Sequence, residues 1–419
     1  MSTLPHTDEN AVSSNFAYSN DAPMGVKTSA TQRTALGDVT ARANMPSAVS
    51  KAAQNSKNRT GLYSRPLNTR DTPELIVIPD EEAQKQPDWE PEDVSGLMET
   101  ENGAGVLDDN ESSSSVSSDN EPLLLVTTNV AAYLVERARL QLHKDKPDPL
   151  DEDTYDLVMV VEYTNEIFSY LHELENKWRP HPRYMLFQPE LKWSYRSTLI
   201  DWIVQVHARF QLLPETLFLT VNIIDRFLSR KTVTLNRFQL VGAAALFLAA
   251  KFEEINCPTI KEILYMLDNA YSKDELLKAE RYMLNTLEFE LGWPGPMSFL
   301  RRVSKADDYE YDIRTLAKYL LETTIMDSRL ISAQPSWLAA GAYYLSRVIL
   351  GFNDWTQHHI FYSNYTTEQL LPLATVMLEN CRHASQRHHA IFEKYGERRH
   401  RRSSYIVARW IAMAEERAT

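Results

Sequence analysis

Two stretches of small residues inside apolar segments constrain this chain more than any other feature. The first, "VGAAALFLAA" (241–250), is apolar throughout. The second, "PSWLAAGAYYLSRVIL" (335–350), starts about 95 residues later and carries Ala339, Ala340, Gly341 and Ala342 at its middle. A helix apolar on every side must be surrounded by other helices. Small side chains let those neighbours come close. Recurrence at one block-length reads as an internal repeat. The chain is therefore predicted to be all-α, with two helical bundles in tandem. The first stretch also ends oddly, running into Lys251, Phe252, Glu253 and Glu254. Lysine is rarely fully buried unless paired, so Lys251 either reaches for solvent or awaits a partner outside this chain.

Glycine usage agrees with a helical reading. Residues 122–419 hold only Gly242, Gly292, Gly295, Gly341, Gly351 and Gly396, well under the usual ~7%. Few turns can then require a positive φ. The two cysteines, Cys257 and Cys381, argue against a disulfide scaffold and fit a reducing compartment. No charged-then-apolar leader opens the sequence, so no secretory signal is expected. No apolar run approaches the ~18 residues of a membrane span.

The net charge of −13 is concentrated in one region. Residues 71–121 carry sixteen acids against one lysine, whereas residues 1–70 carry eight basic residues against four acids. The remainder, 122–419, is nearly neutral at −2. A nucleic-acid binder is expected to show a basic domain, and this chain lacks one. Residues 1–121 are rich in Ser, Thr, Asn, Pro and Asp and show no sustained periodicity. Such a stretch cannot bury enough apolar surface to offset its ordering entropy, and it reads as a disordered arm. Within it, "DDNESSSSVSSDNE" (108–121) is an acidic-serine tract. It reads as a solvated spacer or as a substrate for an acid-directed kinase.

Apolar periodicity beyond the arm predicts helices over 157–174, 195–212, 215–229, 236–254, 259–267 and 272–291. Pro214 stands where a first-turn proline belongs. Further helices are predicted over 313–327, 335–350, 366–381 and 387–396.

Several of these segments carry a family resemblance. "YRSTLIDWIVQVHARFQLLPETLFLTVNIIDRFLS", "QLVGAAALFLAAKFEEI" and "AERYMLNTLEFEL" resemble a cyclin box. "FLRRVSKAD", "RTLAKYLLE", "PSWLAAGAYYLSR" and "YSNYTTEQLLPLA" resemble the C-terminal fold of B-type, G2/mitotic cyclins of fungal character. The resemblance implies two tandem five-helix cyclin folds with a preceding N-terminal helix. It divides the chain into an arm (1–121), an N-terminal cyclin box with its preceding helix (155–293) and a C-terminal cyclin fold (294–414). It further implies a non-catalytic subunit, needing no cofactor, that activates a cyclin-dependent protein kinase at the G2/M transition.

On that resemblance, Lys251 and Glu280 contact the kinase, Phe289 and Leu291 add apolar contacts, and Ile167 and Tyr170 of the preceding helix extend the surface. By physical chemistry alone Lys251 could instead pair with Glu254 or Glu280 within the fold. Arg196 and Asp225 match a structural ion pair of the family. Tyr195, Thr198, Leu199, Trp202, Gln205, Phe238 and Gln239 match its substrate-docking groove, which grips protein substrates through an Arg-x-Leu segment. Tyr195 and Thr198 replace the family's usual Met and Ile, and Gln205 stands where glutamate is common, so this groove is expected to be less apolar and less acidic.

In the arm, "RTALGDVTAR" (33–42) matches the destruction-box pattern through Arg33, Leu36 and Asp38. This implies recognition by the anaphase-promoting ubiquitin ligase. Lys27, Lys51 and Lys57 are nearby ubiquitin acceptors, and Thr72-Pro73 is the one Ser/Thr-Pro step. Nucleic-acid and membrane partners are not expected, and the implied location is nucleus and cytoplasm. A cyclin-fold general transcription factor is the alternative class, and it would require a basic DNA-facing surface. No Gly-rich phosphate loop, His-Glu-x-x-His or Cys-x-x-Cys motif suggests an enzyme. Cys381, His383, His388 and His389 in "CRHASQRHHA" read as helix-surface residues rather than as a metal site. "ERRHRR" (397–402) reads as a solvated basic helix end, with nucleic-acid contact or nuclear import as the sharper reading.

Overall fold

In the computed structural model of the chain, residues 120–418 are described apart from 145 and 158. All of them fall in one structural unit. Arg33, Leu36 and Asp38, and the rest of residues 1–119, lie outside the described residues. Two helices come first, α1 (Asn129–Leu142) and α2 (Thr164–Lys177). Five more follow: α3 (Trp193–Phe210), α4 (Pro214–Leu228), α5 (Leu235–Glu253), α6 (Ile260–Met266) and α7 (Lys273–Thr286). A second set of five is α8 (Pro296–Ser304), α9 (Tyr311–Thr324), α10 (Pro335–Ile349), α11 (Gln357–Ser363) and α12 (Thr367–Cys381). The chain closes with α13 (Ala384–Arg387), α14 (His389–Gly396) and α15 (Ser403–Ala418). Among the described residues no helix is long and apolar enough to cross a membrane.

Local chemistry sets the boundaries. Pro214 occupies the first turn of α4. Thr259 with Glu262, and Ser272 with Glu275, form reciprocal capping boxes that start α6 and α7. The helix predicted over 157–174 begins only at Thr164. Val160 has φ 46°, a left-handed conformation costly for a β-branched residue. Upstream, Asp153 accepts from both the Lys305 ammonium and the Tyr309 hydroxyl. These side-chain ties bind residues 151–155 to the second bundle and override the apolar period.

Each small-residue stretch is the central helix of its bundle. In α5 every residue from Leu240 to Ala250 is buried. A Cβ at Gly242 would sit 2.7 Å from Leu199 Cδ1, and one at Gly341 in α10 would sit 2.5 Å from Leu373 Cδ2. The two glycines thus do the same job, letting α3 press on α5 and α12 press on α10. Gly341→Val is expected to lower the unfolding free energy by about 1–3 kcal/mol through overpacking, read from the urea midpoint. Gly292→Ala, where a new Cβ meets nothing within 4 Å, should stay within about 0.5 kcal/mol of the parent. Equal effects of the two changes would contradict this packing.

Buried polar ties hold the two bundles together. The Glu175 carboxylate on α2 is 1% exposed. It accepts from the Ser336 backbone N–H (2.9 Å) and hydroxyl (2.8 Å) at the start of α10. On α3, Arg196 forms a bidentate pair with Asp225 of α4 (2.8 and 2.7 Å) and donates to the Ile325 carbonyl beyond α9 (2.9 Å). The Tyr184 hydroxyl donates to the same Asp225 at 2.8 Å. Burial opposes charge on Arg196, but Asp225 outweighs it and the guanidinium pKa stands above its ordinary value. Burial, then the Asp225 charge, pushes the Tyr184 phenol up.

Candidate protein-docking surface

The last turn of α5 leaves the core between Ala250 and Lys251. Lys251 Nζ lies 2.5 Å from Glu280 Oε1 on α7 and 4.0 Å above the Phe247 ring. The lysine side chain is 43% exposed and the glutamate 14%. Lys251 therefore does both things the sequence left open: it reaches solvent and it pairs with Glu280. Glu254 is engaged elsewhere, accepting from the Leu213 N–H (2.7 Å) and the Thr216 hydroxyl (2.6 Å) at the start of α4. An exposed pair of this kind contributes at most about 1 kcal/mol to stability.

Large apolar side chains stand in water on the same elements. Phe252 and Ile255, just beyond Lys251, are 53% and 99% exposed. Phe289 is 66% exposed and is held out by an unusual turn. The helix predicted to run to 291 ends at Thr286, and Glu288 and Phe289 both take positive φ (56° and 63°). Non-glycine residues adopt this region at a cost. The turn is fixed by a hydrogen bond from Phe289 N–H to the Leu284 carbonyl (3.0 Å). Two arginines brace it, Arg230 just past α4 donating to the Thr286 carbonyl and Arg226 of α4 to the Glu290 carbonyl. Burial and the like charge of Arg230 pull Arg226 down to about 10, so it remains a cation at neutral pH. Leu291 is half-buried against the core.

Helix α2 adds a further face. Ile167 and Tyr170, three residues apart on one side, are 40% and 59% exposed, and Tyr163 just before the helix is also exposed. The other side packs down, with the Phe168 ring edge-on to Phe299 and the Arg302 guanidinium 4.2 Å above Phe168. The α2 C-terminus reaches the 288–291 turn, where Lys177 Nζ is 3.8 Å from Glu290 Oε1. Sequence reasoning missed Tyr163, Phe252 and Ile255. The signal was available for two of them: Phe252 and Ile255 directly follow the buried run, where the helix emerges from its neighbours.

The groove residues divide. Tyr195, Thr198, Trp202, Gln205 and Gln239 keep some exposure, but Leu199 and Phe238 are core residues at 0% and 1%. Leu199 is occupied by its contact with Gly242 and offers no surface. Gln205 donates to Asp201 Oδ2 at 3.1 Å, so this carboxylate is partly engaged. Cys381, His383, His388 and His389 do not converge, and no group of three or more candidate metal ligands occurs among the described residues. Cys381 is buried, and burial pushes its thiol up to about 12.

Two helical bundles held together by buried hydrogen bonds through Arg196 and Glu175, displaying fixed apolar side chains around a charged pair, define a protein that works by contact. Comparison with known proteins agrees. The family described as "Cyclin, N-terminal domain" matches residues 166–292, and "Cyclin, C-terminal domain" matches 294–409. G2/mitotic-specific cyclin-3 of Saccharomyces cerevisiae is 62% identical over 321 residues, 77% of this chain and 75% of that protein. G2/mitotic-specific cyclin-4 of the same yeast is 61% identical over 72% of this chain and 65% of that protein. G2/mitotic-specific cyclin-4 of Candida albicans is 69% identical over 62% of this chain and 54% of that protein. Among solved structures, a viral cyclin from herpesvirus saimiri aligns at 19% identity and a TM-score of 0.45, covering 56% of this chain and 99% of that one. The chain belongs to the cyclin family, in its fungal G2/mitotic-specific B-type branch.

Proposed function

We propose that the chain is the regulatory subunit that binds and activates a cyclin-dependent protein kinase at the G2/M transition, and that it does so through the surface built on Lys251, Glu280, Phe289, Ile167 and Tyr170. The observation that carries this reading is the Lys251–Glu280 pair on a buried scaffold, with Phe252, Ile255 and Phe289 exposed on the same elements. The pair adds little to folding, so its value lies in what it presents. Phosphoryl transfer requires the kinase's β3 lysine to be paired with a glutamate on its C-helix. A rigid surface that binds only the inward position of that helix shifts the kinase population towards it. The buried ties through Arg196 and Glu175 supply that rigidity. Affinity purification of the full chain from dividing cells should bring down a protein kinase active on histone. A preparation that carries no kinase activity would contradict the reading.

Removal is assigned to the arm. Arg33 and Leu36 are proposed to be recognised by the anaphase-promoting ubiquitin ligase, offering it one charged and one apolar anchor. Replacing both with alanine is expected to lengthen the protein's half-life several-fold at mitotic exit, with kinase activation in vitro unchanged. A cycloheximide chase in cells leaving mitosis checks this, and equal half-lives would remove the assignment.

A further inference from the structure

We propose that Glu175 is a positioning residue: by capping α10 from outside, it latches α2 onto the second bundle and so sets where Ile167 and Tyr170 stand. The proposal rests on the reading that these two side chains contact the kinase.

Helix α2 is held unlike its neighbours. Helices α4 and α5 bury most of their residues, whereas Glu175 is the one fully buried residue of α2. The inward stripe is Phe168, Leu171, His172 and Glu175, at i, i+3, i+4 and i+7. Its two apolar members are only half-buried, and the stripe ends on a carboxylate. An isolated helix of 14 residues is marginal in water, so the place of α2 depends on what grips it.

The grip comes from the start of α10. The first N–H groups of a helix find no partner within it. In α10 the residue before the helix, Gln334, makes no capping bond through its side chain, and Pro335 has no N–H to offer. Ser336 carries the first N–H that needs an acceptor. Glu175 Oε2 supplies it from another helix at 2.9 Å, and Oε1 accepts the Ser336 hydroxyl at 2.8 Å. A carboxylate there also meets the positive end of the helix dipole. The central helix of the second bundle is thus capped by α2.

Neighbouring contacts fix the angle of approach. His172 Nδ1 lies 2.6 Å from Glu175 Oε1, and its Nε2 lies 3.3 Å from the Asn364 amide nitrogen after α11. The Asn176 side-chain oxygen accepts from the Gln334 amide at 2.8 Å. The Ser336 hydroxyl is in turn 2.7 Å from that of Tyr365. Ile167 and Tyr170 stand on the outer side of the same short helix. A tilt or rotation of α2 that breaks the latch therefore displaces them too. The second bundle holds none of the proposed contact residues, yet it governs the affinity of the surface. Without the latch, α2 spends less time in the competent position. The apparent dissociation constant then rises by the reciprocal of the competent fraction, while the complex, once formed, is as active as before.

The test titrates the full chain against a purified cyclin-dependent kinase with histone as substrate, for the parent, Glu175→Gln and Glu175→Ala. Gln keeps the shape but loses the charge and one acceptor; Ala removes both. The half-maximal concentration should rise about tenfold in Glu175→Ala, as for a competent fraction of about one tenth, and less in Glu175→Gln. Maximal activity should match the parent in both, with the helical circular-dichroism signal retained. Gly341→Val, which disturbs α10 away from its start, should leave the half-maximal concentration unchanged. Parental half-maximal concentrations in both Glu175 variants would overturn the proposal. So would a fall in maximal activity at saturation, or an equal rise in Gly341→Val, which would make affinity a matter of general stability. Hydrogen exchange reads the latch without any kinase: the Ser336 amide and those of α2 should exchange at least about tenfold faster in Glu175→Ala, as expected of a local opening. Unchanged exchange there would overturn the latch itself. A parent chain that activates no kinase, with exchange altered as stated, would overturn the kinase reading of α2 and leave the latch standing.

Discussion

Arg196→Ala is expected to cost the chain about 3–5 kcal/mol of stability, the range for breaking a buried ion pair by removing one partner. The size follows from what is left behind. Asp225 is 2% exposed and would keep only the Tyr184 hydroxyl against its charge. The Ile325 carbonyl would lose its Arg196 donor as well. Arg196 contacts α3, α4 and the segment after α9, so the loss falls on both bundles at once. Urea unfolding followed by circular dichroism reads the total, and hydrogen exchange at 320–327 reads the second bundle. Faster exchange there, far from the substituted helix in sequence, is the expected result. A loss below about 1 kcal/mol, with exchange in α9 unchanged, would mean that the pair does not couple the folds. Arg196→Lys keeps the charge but not the bidentate geometry, and should fall between the two.

The fold was legible because its strongest signals are local and repeated. The alanine-rich runs announced two central helices, and Gly242 and Gly341 proved to be their points of closest approach. Pro214 was readable for the same reason, since a helix start is decided within four residues; the capping boxes of α6 and α7 are equally local but were not picked out. Misplaced boundaries occurred where distant groups intervene. The 157–163 segment follows apolar periodicity yet is turned by Val160, and the 151–155 stretch just before it is tied down through Lys305, about 150 residues away. The 287–291 segment reads as helix, but Arg226 and Arg230 hold it as a left-handed turn. Helices α1, α8, α11 and α15 were not predicted. Helix α1 buries only Ala131 and Ala138, too few for a clear period, and α11 is a seven-residue turn of helix.

The candidate surface was legible in part. Lys251 drew notice because a cation followed a buried run, and the resemblance supplied Glu280 and Phe289. That Lys251 and Glu280 pair with each other depends on α5 and α7 lying side by side, which no spacing rule reveals. Leu199 and Phe238 were assigned to a groove on family pattern but lie in the core. An apolar side chain on a helix facing two neighbours reads the same in sequence whether it ends as floor or as lining.

The most direct test of the central claim is the exchange of two charges, Lys251→Glu with Glu280→Lys in one chain. The exchange keeps an ion pair between α5 and α7, so the melting temperature and the helical signal should match the parent. What changes is the field offered to a partner, and misplaced charges at a desolvated interface cost several kcal/mol. With a purified cyclin-dependent kinase and histone as substrate, the exchanged chain is predicted to lose at least about 100-fold in activating potency, about 2.7 kcal/mol at 1.36 per tenfold. Activation at the parental level by a normally folded, charge-exchanged chain would contradict the account.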